Sequence, residues 1–176
     1  MIIREATQSD ANGIAKVHVD CWRSTYDGIV PGDFLADLSY LKAEKFWNDV
    51  LIDSDLQGFV YVAENDAGQI VGYIAGGPER EGNRPYEGEF YSIYILKEFQ
   101  GQSIGRSLIA AASKKLLQSG LKSVMLWTFA VNPYRGFFES LGGQVVSEET
   151  IEIGGSRLVQ VAYGWSDVSE LAAKSE

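Results

Sequence analysis

Between a strongly apolar run and an amphipathic stretch lies the segment Phe99-Gln100-Gly101-Gln102-Ser103-Ile104-Gly105-Arg106. Glycines in such a turn let the backbone approach a ligand closely, and free amides at the start of a helix are donors for phosphate oxygens. The chemistry on offer is anion binding. It is not a Walker loop, since no Gly-Lys followed by Ser or Thr is present. Nor is it a dinucleotide fingerprint, because the glycines are misplaced and the preceding strands read as antiparallel. A plain strand-to-helix turn holding two glycines accounts for the same residues, so both readings stand on this segment alone.

Charge is unevenly distributed around that turn. Residues 97–135 carry Lys97, Arg106, Lys114, Lys115, Lys122 and Arg135 against the single acid Glu98, a net +5 in a chain whose total is −9, which leaves −14 for the remainder. A polyanion beside the glycine turn and a cation beside the acidic remainder would match both signs, as would solvated helix faces. The acidic total argues against a nucleic-acid partner, which needs a basic face to displace counterions. Cys21 is the one cysteine and His18 the one histidine. No disulfide within the chain and no multi-histidine or cysteine metal site can form, so no metal is expected. His18 and Cys21 stand three apart on one predicted helix, and packing explains them better than a Cys–His nucleophile pair without an orienting third residue.

The elements that must position the turn are readable from periodicity. Residues 1–6 form a short strand, and Ser9 or Asp10 caps a helix reaching about Tyr26, with Ile14, Val17 and Cys21 along one stripe. Gly28 to Gly32 break the chain, and Asp33 caps a second helix carrying Leu35, Leu38, Leu41, Phe46, Trp47 and Leu51. Residues 59–63 and 69–75 read as a hairpin around Asn65-Asp66-Ala67-Gly68, followed by a polar loop over 78–88. The run 89–96 is the strongest strand; a helix over 103–119 stopped by Gly120, then a strand over 124–129, complete a parallel strand–helix–strand unit. A short helix starting at Pro133 closes at Leu141-Gly142-Gly143, and strands over 144–153 and 156–164 flank Gly154-Gly155. The expectation is one mixed α/β domain (α+β type) over 1–166, with about seven mostly antiparallel strands and about four helices. A polar, frayed tail over 167–176 is expected to follow.

A second segment adds specificity. Asn132-Pro133-Tyr134-Arg135-Gly136-Phe137-Phe138-Glu139-Ser140-Leu141-Gly142-Gly143 follows the glycine turn at a fixed remove. Together the two motifs resemble the GNAT superfamily of acetyl-CoA-dependent N-acetyltransferases: Gln100 to Gly105 is similar to its phosphate loop, with Ser103 where a glycine usually falls. The second segment looks like its Asn-then-Phe-Tyr-Glu-x-Leu-Gly helix. The order of elements matches from end to end, and Trp22 to Pro31 is similar to the N-terminal segment of many bacterial-type members.

The resemblance implies acetyl-CoA as acyl donor and an N-acetyltransferase acting on a small-molecule or peptide amine. Backbone groups of Ile93, Tyr94 and Ile95 would pair with the pantetheine arm, and the amides of Gln100, Gly101, Gln102, Ser103, Ile104, Gly105 and Arg106 would cradle the pyrophosphate. Asn132 would bond the arm or position the next helix. Glu89 stands where members carry a glutamate base; a solvent-facing strand-end carboxylate is the alternative, and Glu87 is the poorer candidate. Phe138 occupies the place of the tyrosine that protonates the leaving thiolate and has no proton to give; Tyr134, four residues earlier, could supply a hydroxyl from the same helix face. Trp22, Tyr26, Tyr86 and Tyr91 are candidates for the acceptor wall, since aromatic faces attract cations. A non-catalytic acyl-CoA-binding module is the rival reading. A charged N-terminus and the lack of any apolar run near the roughly 18 residues a membrane helix needs suggest a cytoplasmic protein without membrane partners. A homodimer stays open.

Overall fold

The computed structural model of the chain describes residues 1–53, 57–82 and 85–173. Seven strands form one sheet in the order β1-β2-β3-β4-β5-β7-β6: β1 Ile2–Glu5, β2 Phe59–Glu64, β3 Ile70–Pro78, β4 Gly88–Ile95, β5 Val124–Phe129, β6 Gln144–Ile153 and β7 Ser156–Trp165. Every neighbouring pair is antiparallel except β4–β5. The β2–β3 turn forms where expected: Asn65 accepts from the amides of Ala67 and Gln69 at 3.0 and 2.9 Å, and Gly68 takes φ +77°.

Helix α4, Ile104–Gln118, is the parallel crossover and covers one face of the sheet, burying Leu108, Ile109, Ala112 and Leu116. It ends at Gly120 (φ +82°), whose left-handed turn lets the Leu121 amide reach back to the Leu116 carbonyl at 3.0 Å. The opposite face carries α1, Ala11–Thr25, which buries Ile14, Val17 and Cys21 against Val62, Tyr73 and Ala75.

Three expectations are corrected. The single helix expected after Asp33 is two, α2 Gly32–Asp37 and α3 Tyr40–Ile52. Leu38 and Ser39 turn extended, Arg23 donates to the Leu38 carbonyl at 2.7 Å, and Ser39 Oγ caps α3 through the Lys42 amide. Leu41 and Phe46 therefore face solvent instead of continuing an apolar stripe. The short helix after β5 is α5, Gly136–Ser140, which starts at Gly136 instead of Pro133 because residues 132–135 form turns first. Finally, the segment expected as a frayed polar tail forms α6, Ser169–Ala172, with Val168 and Leu171 fully buried beside α4. Two parts of the expected polar segments, 83–84 of the loop and 174–176 of the tail, lie outside the described residues.

Candidate active site

Strands β4 and β5 pair only through Gly88–Val124 and Glu89–Met125. Beyond those pairs they diverge. A β-bulge contributes: Ala75 pairs with Ser92 and Gly76 with Phe90, which leaves Tyr91 without a partner and sharpens the local twist of β4. Close packing at the bulge demands glycine, since a Cβ at Gly76 would meet the Glu89 carbonyl at 2.8 Å and one at Gly77 would meet the Tyr91 hydroxyl at 2.8 Å. The divergence opens a cavity of about 560 Å³. Its walls include Ile93, Tyr94 and Ile95 on β4, Gln100, Gly101, Ser103, Ile104, Gly105 and Arg106 on the turn, and also Tyr26, Tyr91, Asn132, Tyr134 and Phe138. Gln102, Glu89 and Trp22 stand outside that wall among the described residues.

The turn is built for its backbone. Gly101 takes φ +74° and Ser103 φ +63°, the one non-glycine in the left-handed region among the described residues. Gln100 Nε2 donates to the Ile95 carbonyl at 3.0 Å, and Gln102 Nε2 to that of Glu98 at 3.3 Å, so both amide side chains lock the loop. Among the described residues no side chain caps α4, and its first amides have no intrahelical acceptor, which leaves the positive end of the helix facing the cavity. Gly105 is needed for a reason the sequence did not reveal. A Cβ there would meet Phe137 Cζ at 2.9 Å and Ile95 Cδ1 at 3.3 Å, so its bareness seats α5 against α4.

Glu89 is buried, which removes the solvent-facing alternative. Phe90 sits in the core under α4, so alternation turns Glu89 to the opposite face, the side of α1. Arg80 meets both carboxylate oxygens, with Nε 3.1 Å from Oε2 and the other bond to Oε1 through Nη2. The same guanidinium lies 4.4 Å over the Tyr91 ring, and the Tyr91 hydroxyl donates to the Pro78 carbonyl at 2.6 Å. Arg80 was hidden in the sequence within a polar loop, with no local signal to single it out. The Glu87 carboxylate instead accepts from the Lys122 amide at 2.6 Å.

Asn132 organises the far wall: its Nδ2 donates to Thr128 Oγ1 at 2.8 Å and its Oδ1 accepts from the Tyr134 amide at 2.9 Å. Tyr134 therefore sits in a turn before α5, partly exposed, and does not share a helix face with Phe138 as expected. Phe138 is buried with its ring centroid 5.7 Å from that of Tyr163, though its edge reaches the cavity. Trp22 packs behind the cavity against Tyr26, Phe34 and Phe129 instead of walling it. Among the described residues its buried indole N–H has no partner within ordinary hydrogen-bond geometry, although the Tyr94 hydroxyl lies close by. Tyr86 lies against β7, where a Cβ on Gly164 would run into its hydroxyl.

Burial pushes the Tyr26 phenol up to about 12 and holds that of Tyr94 well above its ordinary value, so both stay protonated donors. Burial likewise pushes Cys21 up to about 12 and His18 down to about 4, and the His18 ring bonds the Tyr73 hydroxyl at 2.8 Å. A neutral thiol beside a neutral imidazole is not a nucleophile pair. Among the described residues no group of three or more His, Cys, Asp or Glu could hold a metal, and no helix is long and apolar enough to cross a membrane.

Known proteins share both the sequence and the fold. The model of the Acetyltransferase (GNAT) family matches residues 17–142. The chain is 41% identical over 169 residues to YuaI of Bacillus subtilis, described as an uncharacterised N-acetyltransferase, covering 96% of this chain and 95% of that one. Among solved structures it is similar to the PaiA N-acetyltransferase of Thermoplasma acidophilum in complex with coenzyme A, with a TM-score of 0.72 at 19% identity over 90% of this chain and 96% of that one. The acetyltransferase-like YncA of Salmonella typhimurium, solved with acetyl-CoA, gives 0.70 at 19% identity over 94% and 92%.

Proposed function

The chain belongs to the GNAT acetyltransferase family, and from that membership we propose that it moves an acetyl group from acetyl-CoA to a primary amine by direct attack. The observation that carries this reading is the cleft: β4 stays paired to β3 but parts from β5 beyond Glu89, and that open edge leads to the bare amides of α4. An extended pantetheine arm can add to the Ile93–Ile95 edge as a further strand would, and the pyrophosphate then falls beside the Gly101–Arg106 turn. Asn132 acts by holding the Tyr134 turn at the cavity wall.

An amine attacks only after losing its proton, since an ammonium with a pKa near 10 has no lone pair. Glu89, directly or through a water, takes that proton; the amine nitrogen bonds the thioester carbon, the C–S bond breaks, and the electron pair leaves on sulfur. Tyr134 or water returns a proton to the thiolate. A thiol pKa near 8.5 makes that help modest. Tyr26 and Tyr91 present aromatic surface to the acceptor, while Trp22 supports Tyr26 from behind. Small-molecule and peptide amines both suit an acidic acceptor side.

Phe138 favours a non-catalytic acyl-CoA-binding module, because no proton donor stands at that place. Tyr134 on the cavity wall answers that objection. The deciding experiment is free-thiol release from acetyl-CoA across a panel of primary amines, with acetylated product followed by mass. Thiol that tracks product supports transfer; tight acetyl-CoA binding without turnover on any amine supports the module.

A further inference from the structure

We propose that Arg80 is a cationic latch: its guanidinium holds the place on Glu89 that the ammonium group of the acceptor takes, so acceptor binding exchanges one cation for another on one carboxylate. The proposal rests on the acetyl-transfer reading for its biological sense but on geometry for its support. A buried carboxylate needs a countercharge. Here that charge does not come from the wall of the fold. Glu89 is 3% exposed, whereas the side chain of Arg80 is 59% exposed and reaches in from the loop that follows β3. The guanidinium covers the carboxylate from the solvent side.

What Arg80 occupies is a two-part cation site. One part is the carboxylate, fixed by β4 pairing to Gly77 on one side and Met125 on the other. The second is the Tyr91 ring, 4.4 Å from the guanidinium carbon and anchored through its hydroxyl to Pro78. A carboxylate beside an aromatic face is what a primary ammonium also binds. Both parts belong to the sheet and stay when Arg80 leaves, and Tyr91 already borders the cavity. The site therefore selects acceptors whose charged amine can displace a guanidinium, and it keeps the carboxylate paired and covered between turnovers.

The test reads binding, with n-butylammonium as acceptor probe and methylguanidinium as latch probe. In the 15N-labelled wild-type protein, butylammonium should move the Arg80 Nε–Hε resonance, assigned by its loss in Arg80→Gln. The affinity of Arg80→Gln for butylammonium should rise roughly tenfold, because the competing cation is gone. Methylguanidinium should compete with butylammonium in Arg80→Gln and hardly at all in wild type, while Arg80→Lys should stay close to wild type. An unmoved Arg80 resonance at saturating butylammonium, or affinity unchanged or weaker in Arg80→Gln, overturns the latch and makes Arg80 a plain structural partner of Glu89. If Arg80→Gln does not fold, loss of the resonance in Arg80→Lys assigns it and the wild-type titration decides. Absence of thiol release from every amine, with the cation exchange intact, would count against acetyl transfer and leave the latch standing.

Discussion

Ser103 is the sharpest place to test whether backbone or side chain carries the anion site. It adopts φ +63° and ψ +3°, and its hydroxyl makes no capping bond to α4. A side chain in the left-handed region costs about 1–2 kcal/mol, and glycine removes that cost. Glycine also adds about 0.5–1 kcal/mol of chain entropy to be lost on folding. The difference predicts that Ser103→Gly stabilises the protein by about 0.5–1 kcal/mol, or roughly 1–4 °C in melting temperature for a chain of this length. Ser103→Ala keeps the strained backbone and removes only the hydroxyl, so its stability should stay within about 0.5 kcal/mol of wild type. Coenzyme A titrations followed by calorimetry and by thermal shift then separate the roles. If the amides cradle the pyrophosphate, both variants should bind within about threefold of wild type. A loss beyond about tenfold in both would hand the anion to the hydroxyl, and a melting point that falls in Ser103→Gly would refute the strain argument itself.

Three further outcomes follow from the same geometry. Glu89→Gln should slow acetyl transfer by about 10²-fold or more at neutral pH and by less at high pH, where more amine is already neutral, with acetyl-CoA affinity nearly unchanged; an equal loss at every pH would make Glu89 a positioning residue. Tyr134→Phe should lower turnover by up to about 10²-fold, and Phe138→Tyr should not restore it, because Phe138, in α5, is buried against Tyr163 while Tyr134 sits in the turn before that helix; full activity in Tyr134→Phe leaves water as the proton donor. His18 titrates near 4 in the fold against 6.5 in the unfolded chain, so the unfolded state takes its proton first as pH falls. Stability held above pH 6.5 should decline towards pH 4 by up to about 3 kcal/mol and then level off, and urea melts of His18→Gln should lack this component of the decline.

Local rules sufficed for much of the molecule because they act over a few residues. Strand β5, the Asn65–Gly68 turn and the Gly120 stop follow from β-rich runs, an Asn side chain and a left-handed glycine that each work within one turn of chain. The glycine turn before α4 and the Asn132 segment were likewise visible, and their separation in sequence pointed to the family. Other features depend on partners far along the chain. The break at Leu38–Ser39 is held by Arg23 on another helix, so the apolar spacing through it read as one continuous helix. Val168 and Leu171 look like isolated apolar residues in a polar tail until α4 supplies a surface that buries them. The bulge at Tyr91 depends on β3, and the opening beyond Glu89 on how far β5 follows β4. The pairing of Arg80 with Glu89 is of the same kind. Sequence displays one charge in a polar loop and another at the head of a strand, and only the alternation of β4 beneath a returning loop brings them onto one face, buries one and leaves the other in water.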